Sequence, residues 1–118
     1  MGAFKDTITE IVISQKNYRN PDFSESILAE MLGVSIFRMS RIIKAEFGAS
    51  YADIVLSNRV EDVKKMLKMK RFKTYTVEDI GVIAGFRNKQ SLFEAFKKYA
   101  HTTPGKYRRA TETLNNKS

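Results

Sequence analysis

Leu28-Ala29-Glu30-Met31-Leu32-Gly33-Val34-Ser35 runs into Ile36-Phe37-Arg38-Met39-Ser40-Arg41-Ile42-Ile43-Lys44. The same grammar returns as Ile80-Gly81-Val82-Ile83-Ala84-Gly85-Phe86, then Arg87-Asn88-Lys89-Gln90-Ser91-Leu92-Phe93-Glu94-Ala95-Phe96-Lys97. Each copy has a short apolar helix with a small residue near its start (Ala29, Gly81) and a glycine turn (Gly33, Gly85). A polar cap follows, then a second helix with basic and amide residues off its apolar stripe. That order of parts is a helix-turn-helix pattern. Gly33 to Gly85 is 52 residues and Ile43 to Phe96 is 53, so the second copy has one extra residue at its turn.

Outside the repeat, no stretch alternates with a period of two, so the fold class is all-α: two helix-turn-helix subdomains joined by a long central helix, about seven helices in all. Phe4, Ile8, Ile11, Val12 and Gln15 follow a helical rhythm and predict an opening helix over residues 3–15. Asn20-Pro21-Asp22 reads as a turn. Ser24 caps a helix over 25–32, and Ser35 caps one over 36–47 that stops at Gly48. Ser50 opens the longest helix, to about Met69, with Tyr51, Ile54, Val55, Val63, Met66 and Leu67 inward and Glu61, Asp62, Lys64, Lys65 and Lys68 outward. Thr76 and Asp79 form a capping box for 77–84, Asn88 caps 89–100, and Thr103-Pro104 starts a short closing helix. The subdomains are then 1–49 and 70–109, with a linker helix at 50–69 and a small, polar tail at 110–118 that is expected to be disordered.

Charge separates the two halves. The net charge of +8 arises from seven Lys/Arg against nine Asp/Glu in residues 1–62, and fourteen against four in residues 63–118. Such a basic half suits a polyanion, of which nucleic acid is the usual one. The absence of cysteine removes disulfides, zinc–thiolate sites and thiol nucleophiles. With no membrane-length apolar run and no secretory leader pattern, the expected location is cytoplasmic, without membrane contact.

The second helix of a helix-turn-helix unit is the one that enters a DNA major groove. In helix 36–47 the core stripe is Ile36, Met39, Ile42, Ile43 and Phe47, leaving Phe37, Arg38, Ser40, Arg41 and Lys44 outside. In helix 89–100 it is Leu92, Ala95, Phe96 and Tyr99, leaving Lys89, Gln90, Ser91, Phe93, Glu94, Lys97 and Lys98 outside. Arg41 can donate a bidentate pair to guanine, and Gln90 can pair with adenine. Ser40 and Ser91 are short and adaptable. Arg38, Lys44, Lys97, Lys98 and Arg108 are assigned to phosphate. Phe37 and Phe93 either tuck against a neighbouring helix or touch thymine methyl groups. Two readers in one chain allow two adjacent grooves to be read without dimerisation.

From about Ser24 to Arg108 the chain resembles the DNA-binding module of AraC/XylS-type bacterial transcription regulators. The matching residues are Leu28-Ala29, Gly33-Val34-Ser35, Ser40-Arg41, Lys44, Gly48-Ala49-Ser50, Arg59, Met66-Leu67 and Ile80. They continue with Gly85-Phe86, Phe96-Lys97-Lys98 and Thr103-Pro104-Gly105-Lys106-Tyr107-Arg108, the most specific run. The resemblance implies two recognition helices in successive major grooves on one face of the duplex. It implies base contacts from Phe37, Ser40 and Arg41, with Ile36 at the edge, and from Lys89, Gln90, Ser91, Phe93 and Glu94. It makes Arg59 structural, and it implies a longer regulator with a preceding sensing or dimerising region. Three positions depart from the family pattern: Glu94 stands where arginine is frequent, Gly81 where alanine is usual, and His101 where glycine is expected.

Two rival classes are weighed against this. An enzyme is disfavoured, because His101 is the lone histidine and Glu61 and Asp62 point different ways on one helix. No glycine loop cradles phosphate, and no cofactor is expected. A helical protein–protein module with only non-specific DNA affinity is the alternative, with RNA polymerase as its partner.

Overall fold

The structure, a computed structural model, describes residues 2–117. Seven α-helices and no strand occur among them: α1 Gly2–Ile8, α2 Glu25–Met31, α3 Ile36–Phe47, α4 Tyr51–Leu67, α5 Val77–Ala84, α6 Lys89–Ala100 and α7 Pro104–Lys117. The helix starts follow the polar caps. Ser24, Ser35 and Ser50 accept from the backbone N–H of Ile27, Arg38 and Asp53 at 3.1–3.2 Å. Asn88 accepts from Ser91 at 2.8 Å, and Thr103 from Lys106 at 3.2 Å. Thr76 and Asp79 close a reciprocal box, at 3.0 and 3.1 Å. Each cap satisfies a donor the helix cannot, contributing about 1 kcal/mol.

The chain divides into two compact units, residues 1–56 and 57–118. The boundary falls inside α4, so this helix contributes residues to both units. In the first unit Ile54 and Val55 of α4 join Ile8, Val12, Tyr18, Leu28, Ala29, Met39 and Ile43 in one buried cluster. The second unit buries Val60, Val63, Met66 and Leu67 of α4, with Ile80, Ala84 and Phe86 around α5, Leu92, Ala95 and Phe96 on α6, and Pro104. Tyr107 meets Phe96 edge-on at 5.7 Å, which is what Thr103-Pro104 at the start of α7 sets up.

Four expectations are corrected. The opening helix is α-helical only to Ile8; Thr9–Ser14 widens into a π turn, and Gln15 N–H reaches Glu10 O at 2.9 Å. The carbonyl of Ile11 is then bonded by the Asn17 side chain, at 2.8 Å. Asp62 is buried at 7% exposure, with a partner, and does not face outward. Its position decides this: seven residues after Val55 and four before Met66, it lies on the apolar stripe. The tail at 110–117 is helical, continuing α7. Local bonds hold it in place of a packed face: Thr111 and Thr113 hydroxyls donate to the carbonyls of Arg108 and Arg109 at 2.8 and 2.9 Å, and Leu114 stays exposed. Lastly, Ile36 at the start of α3 is 39% exposed and contributes little to the stripe assigned to it.

His101 ends α6 in the left-handed region, at φ 60°, with its N–H on Lys97 O. A Cβ there strains the backbone by roughly 1–2 kcal/mol, whereas glycine adopts the conformation freely at an unfolded-state cost of about 0.4–1 kcal/mol. His101→Gly should raise stability by about 0.5–1 kcal/mol in urea unfolding. A lower midpoint would mean that the imidazole contributes more than the strain removes.

Candidate nucleic-acid interface

The repeat seen in the sequence is kept at the level of single hydrogen bonds. In the first unit Gly33 (φ 68°) donates to Glu30 O at 3.2 Å, and Val34 to Ala29 O at 3.0 Å. In the second, Gly85 (φ 113°) donates to Val82 O at 3.0 Å, and Phe86 to Gly81 O at 2.9 Å. Both turns are Schellman motifs, in which a left-handed glycine lets two N–H groups reach back to the last carbonyls of the helix. One residue, Val34, separates Gly33 from its cap Ser35; two, Phe86 and Arg87, separate Gly85 from Asn88. Gly81 serves a different purpose. A Cβ there would stand 2.8 Å from Leu92 Cδ2, so the missing side chain admits α6 close to α5.

On α3, Met39 and Ile43 are fully buried, and Phe37, Arg38, Ser40, Arg41 and Lys44 are all exposed. Phe37 is 83% exposed, so it does not tuck against a neighbouring helix. The side chains of Arg38, Arg41 and Lys44 have no hydrogen-bond or ion-pair partner among the described residues. Ser40 Oγ donates to Glu25 Oε2 at 3.0 Å, across from α2. Glu25 thus joins this surface, although the sequence alone assigns it no role. No local pattern could have found it, because the pairing spans fifteen residues and depends on the turn.

On α6, Leu92, Ala95 and Phe96 are buried, and Lys89, Gln90, Glu94, Lys97 and Lys98 are exposed. Gln90 Nε2 donates to Glu94 Oε1 at 3.0 Å. Ser91 is half-buried and donates its hydroxyl to Asn88 O at 3.0 Å. Phe93 is also half-buried, with Lys89 Nζ 5.4 Å from its ring centre and 4.0 Å from Glu78 Oε1. Lys98 lies 5.3 Å from the ring centre of Tyr99, while Lys97 has no partner among the described residues.

Arg108, assigned to phosphate, is used inside the fold. Its guanidinium donates to Tyr75 O at 2.7 Å and Phe72 O at 3.0 Å, with Glu112 at 3.9 Å, and its side chain is only 17% exposed. It ties the start of α7 to the connector before α5. Arg59 is half-buried, 5.7 Å from the Phe86 ring centre. Lys68, Lys70 and Lys73 line an open cleft of about 460 Å³ together with Arg108 and Glu112. No helix among the described residues is long and apolar enough to cross a membrane.

Comparison with known proteins agrees with this geometry. A family profile described as a helix-turn-helix domain matches residues 28–110. A probable transcription factor PqrA of Proteus vulgaris is 29% identical over 90 residues, covering 76% of this chain and 71% of that protein. An uncharacterised HTH-type transcriptional regulator, SAS0078 of Staphylococcus aureus, is 27% identical over 103 residues, 87% of this chain and 13% of its own length. The C-terminal domain of the two-component response regulator yesN from Fusobacterium nucleatum superposes with a TM-score of 0.74 at 29% identity, covering 90% of this chain and 98% of that one. The chain belongs to the AraC-type helix-turn-helix family, a family of DNA-binding transcription regulators and not of enzymes.

The role of Arg108 has a direct check. Two charge-assisted bonds to carbonyls are worth about 1.5–3 kcal/mol each at most when well made. Arg108→Ala should therefore lower unfolding stability by about 2 kcal/mol while leaving the salt dependence of DNA binding unchanged. A shallower salt slope with unaltered stability would return Arg108 to the phosphate set.

Proposed function

We propose that this chain binds double-stranded DNA sequence-specifically, as the DNA-binding part of a longer bacterial transcription regulator. Helices α3 and α6 enter successive major grooves. The observation that carries this reading is the duplicated Schellman turn, each copy leading into a capped helix with an exposed polar face. Arg41 reads guanine on the first helix. Phe37, too exposed to serve packing, lies where a thymine methyl can cover it. The second helix offers Lys89, Gln90, Ser91, Phe93 and Glu94 to the bases. Arg38, Lys44, Lys97 and Lys98 hold phosphate, where donor charge matters more than exact placement.

That neighbouring structures are C-terminal domains supports a preceding sensing or dimerising region in the full regulator. A second reading has its own observation. Met31 on α2 and Val82 on α5 are 55% and 62% exposed, outside both recognition helices. Such residues suit contact with a protein such as RNA polymerase, and DNA binding does not exclude it. Salt separates the two: phosphate contacts weaken steeply with added salt, and an apolar interface does not.

With both readers in one chain, a monomer should protect an asymmetric site of roughly 15–20 base pairs in footprinting. Binding only as a dimer on a palindrome, with one unit of each chain engaged, would contradict this. Within that site two of the unpartnered cations should behave differently. Arg41→Ala should relax base preference in one half-site and cost about 1–3 kcal/mol. Lys97→Ala should weaken all duplexes alike and reduce the salt slope by about one. Equal, sequence-blind losses from both would remove Arg41 from the base readers.

A further inference from the structure

On both recognition helices, neutral polar side chains at reading positions already donate a hydrogen bond within the protein. Ser40 Oγ donates to Glu25 Oε2, Ser91 Oγ to Asn88 O, and Gln90 Nε2 to Glu94 Oε1, each at 3.0 Å. A hydroxyl has one proton, so Ser40 and Ser91 are left to a base only as acceptors. A carboxylate is an acceptor throughout. With room for about four hydrogen bonds on its two oxygens, Glu94 keeps capacity beyond the one it gives Gln90. In the second unit Ser91 and Glu94 therefore present only acceptors, and the remaining donors are one N–H of Gln90 and the cations.

The major groove offers only two base donors, cytosine N4 and adenine N6. They are not equivalent to a carboxylate. Beside N6, adenine carries N7, an acceptor whose lone pair would face the carboxylate oxygens. Beside N4, cytosine carries only a C–H edge. We propose that Glu94 is the specificity-determining residue of the second unit, accepting from the N4 amino group of a cytosine. Gln90 is its positioning residue, holding the carboxylate one helical turn along through one of its two amide protons. This rests on the DNA-reading function proposed above, and it gives the Glu94 departure from the family pattern a positive role. A carboxylate that merely repels phosphate weakens every duplex equally; one that accepts from cytosine makes a difference between duplexes.

The test uses the whole chain and duplexes selected from a random pool. At the base pair assigned to residue 94, C·G is replaced by T·A, which puts the thymine O4 acceptor where the cytosine N4 donor stood. The wild-type chain should favour C·G by about tenfold or more, within the range of one good base contact. Glu94→Gln should bring that preference below about threefold, because an amide can present either a donor or an acceptor. Its binding to unselected DNA should be unchanged or tighter. Gln90→Met should weaken the C·G preference without changing which base is preferred, as loss of positioning requires. Circular dichroism of each variant checks that the exposed substitutions leave the helices intact. If Glu94→Gln tightens all duplexes alike and keeps the C·G preference, Glu94 only repels phosphate and the proposal is overturned. An unchanged selection profile overturns it too. Should the wild-type chain select no site at all, the sequence-specific function itself fails; a selected site indifferent to residue 94 sinks only this inference.

Discussion

A left-handed glycine immediately after a short helix is the constraint on which each unit is built. At Gly33 and Gly85 a positive φ lets the chain reverse within one residue while two N–H groups satisfy the exposed helix carbonyls. The next helix must then leave at a set angle, and the direction of its polar face follows. A side chain at either glycine would add a strain of roughly 1–2 kcal/mol and disturb that angle. The second unit adds a related constraint at Gly81, where a Cβ would require the Leu92 side chain to shift. Both turns are then closed by an apolar residue, Val34 or Phe86, of which Phe86 is almost wholly buried at 2% exposure.

What the recognition helices can do depends on which polar groups the fold has left over. Long cations look alike in a sequence, yet this fold divides them. Arg108 and Arg59 are drawn inward to carbonyls and an aromatic ring, and Lys89 rests on Phe93, whereas Arg41 and Lys97 have no described partner. The inward arginines are engaged within the second unit, whereas the unpartnered cations leave their donors open. The neutral side chains show the opposite balance. Ser40, Gln90 and Ser91 spend donors on nearby acceptors, which narrows what they can offer a base.

Local chemistry accounts for how much of this was readable in advance. Helix starts were legible because a serine, threonine or asparagine oxygen must meet the N–H two or three residues on, and every assigned cap does so. The core stripes of α3 and α6 were legible because 3.6-residue spacing puts Met39 with Ile43, and Leu92 with Phe96, on one face. Asp62 was misread because its charge was weighed above its place on the α4 stripe. The tail was misread because a helix held by Thr111, Thr113 and the Arg108–Glu112 pair needs no apolar period. The division of α4 between two units leaves no mark in a continuous helical pattern.

By itself, the sequence determined the all-α fold, the duplicated helix-turn-helix and most of the residues exposed on each second helix. These follow from caps, turns and periodicity, which act over a few residues. Tertiary structure alone decided the destinations of side chains that reach across turns. Arg108 meets Phe72 and Tyr75 more than thirty residues away, and Ser40 meets Glu25 from the preceding helix. Such pairings depend on the angle at which one helix leaves another, and a local sequence pattern carries no record of that angle.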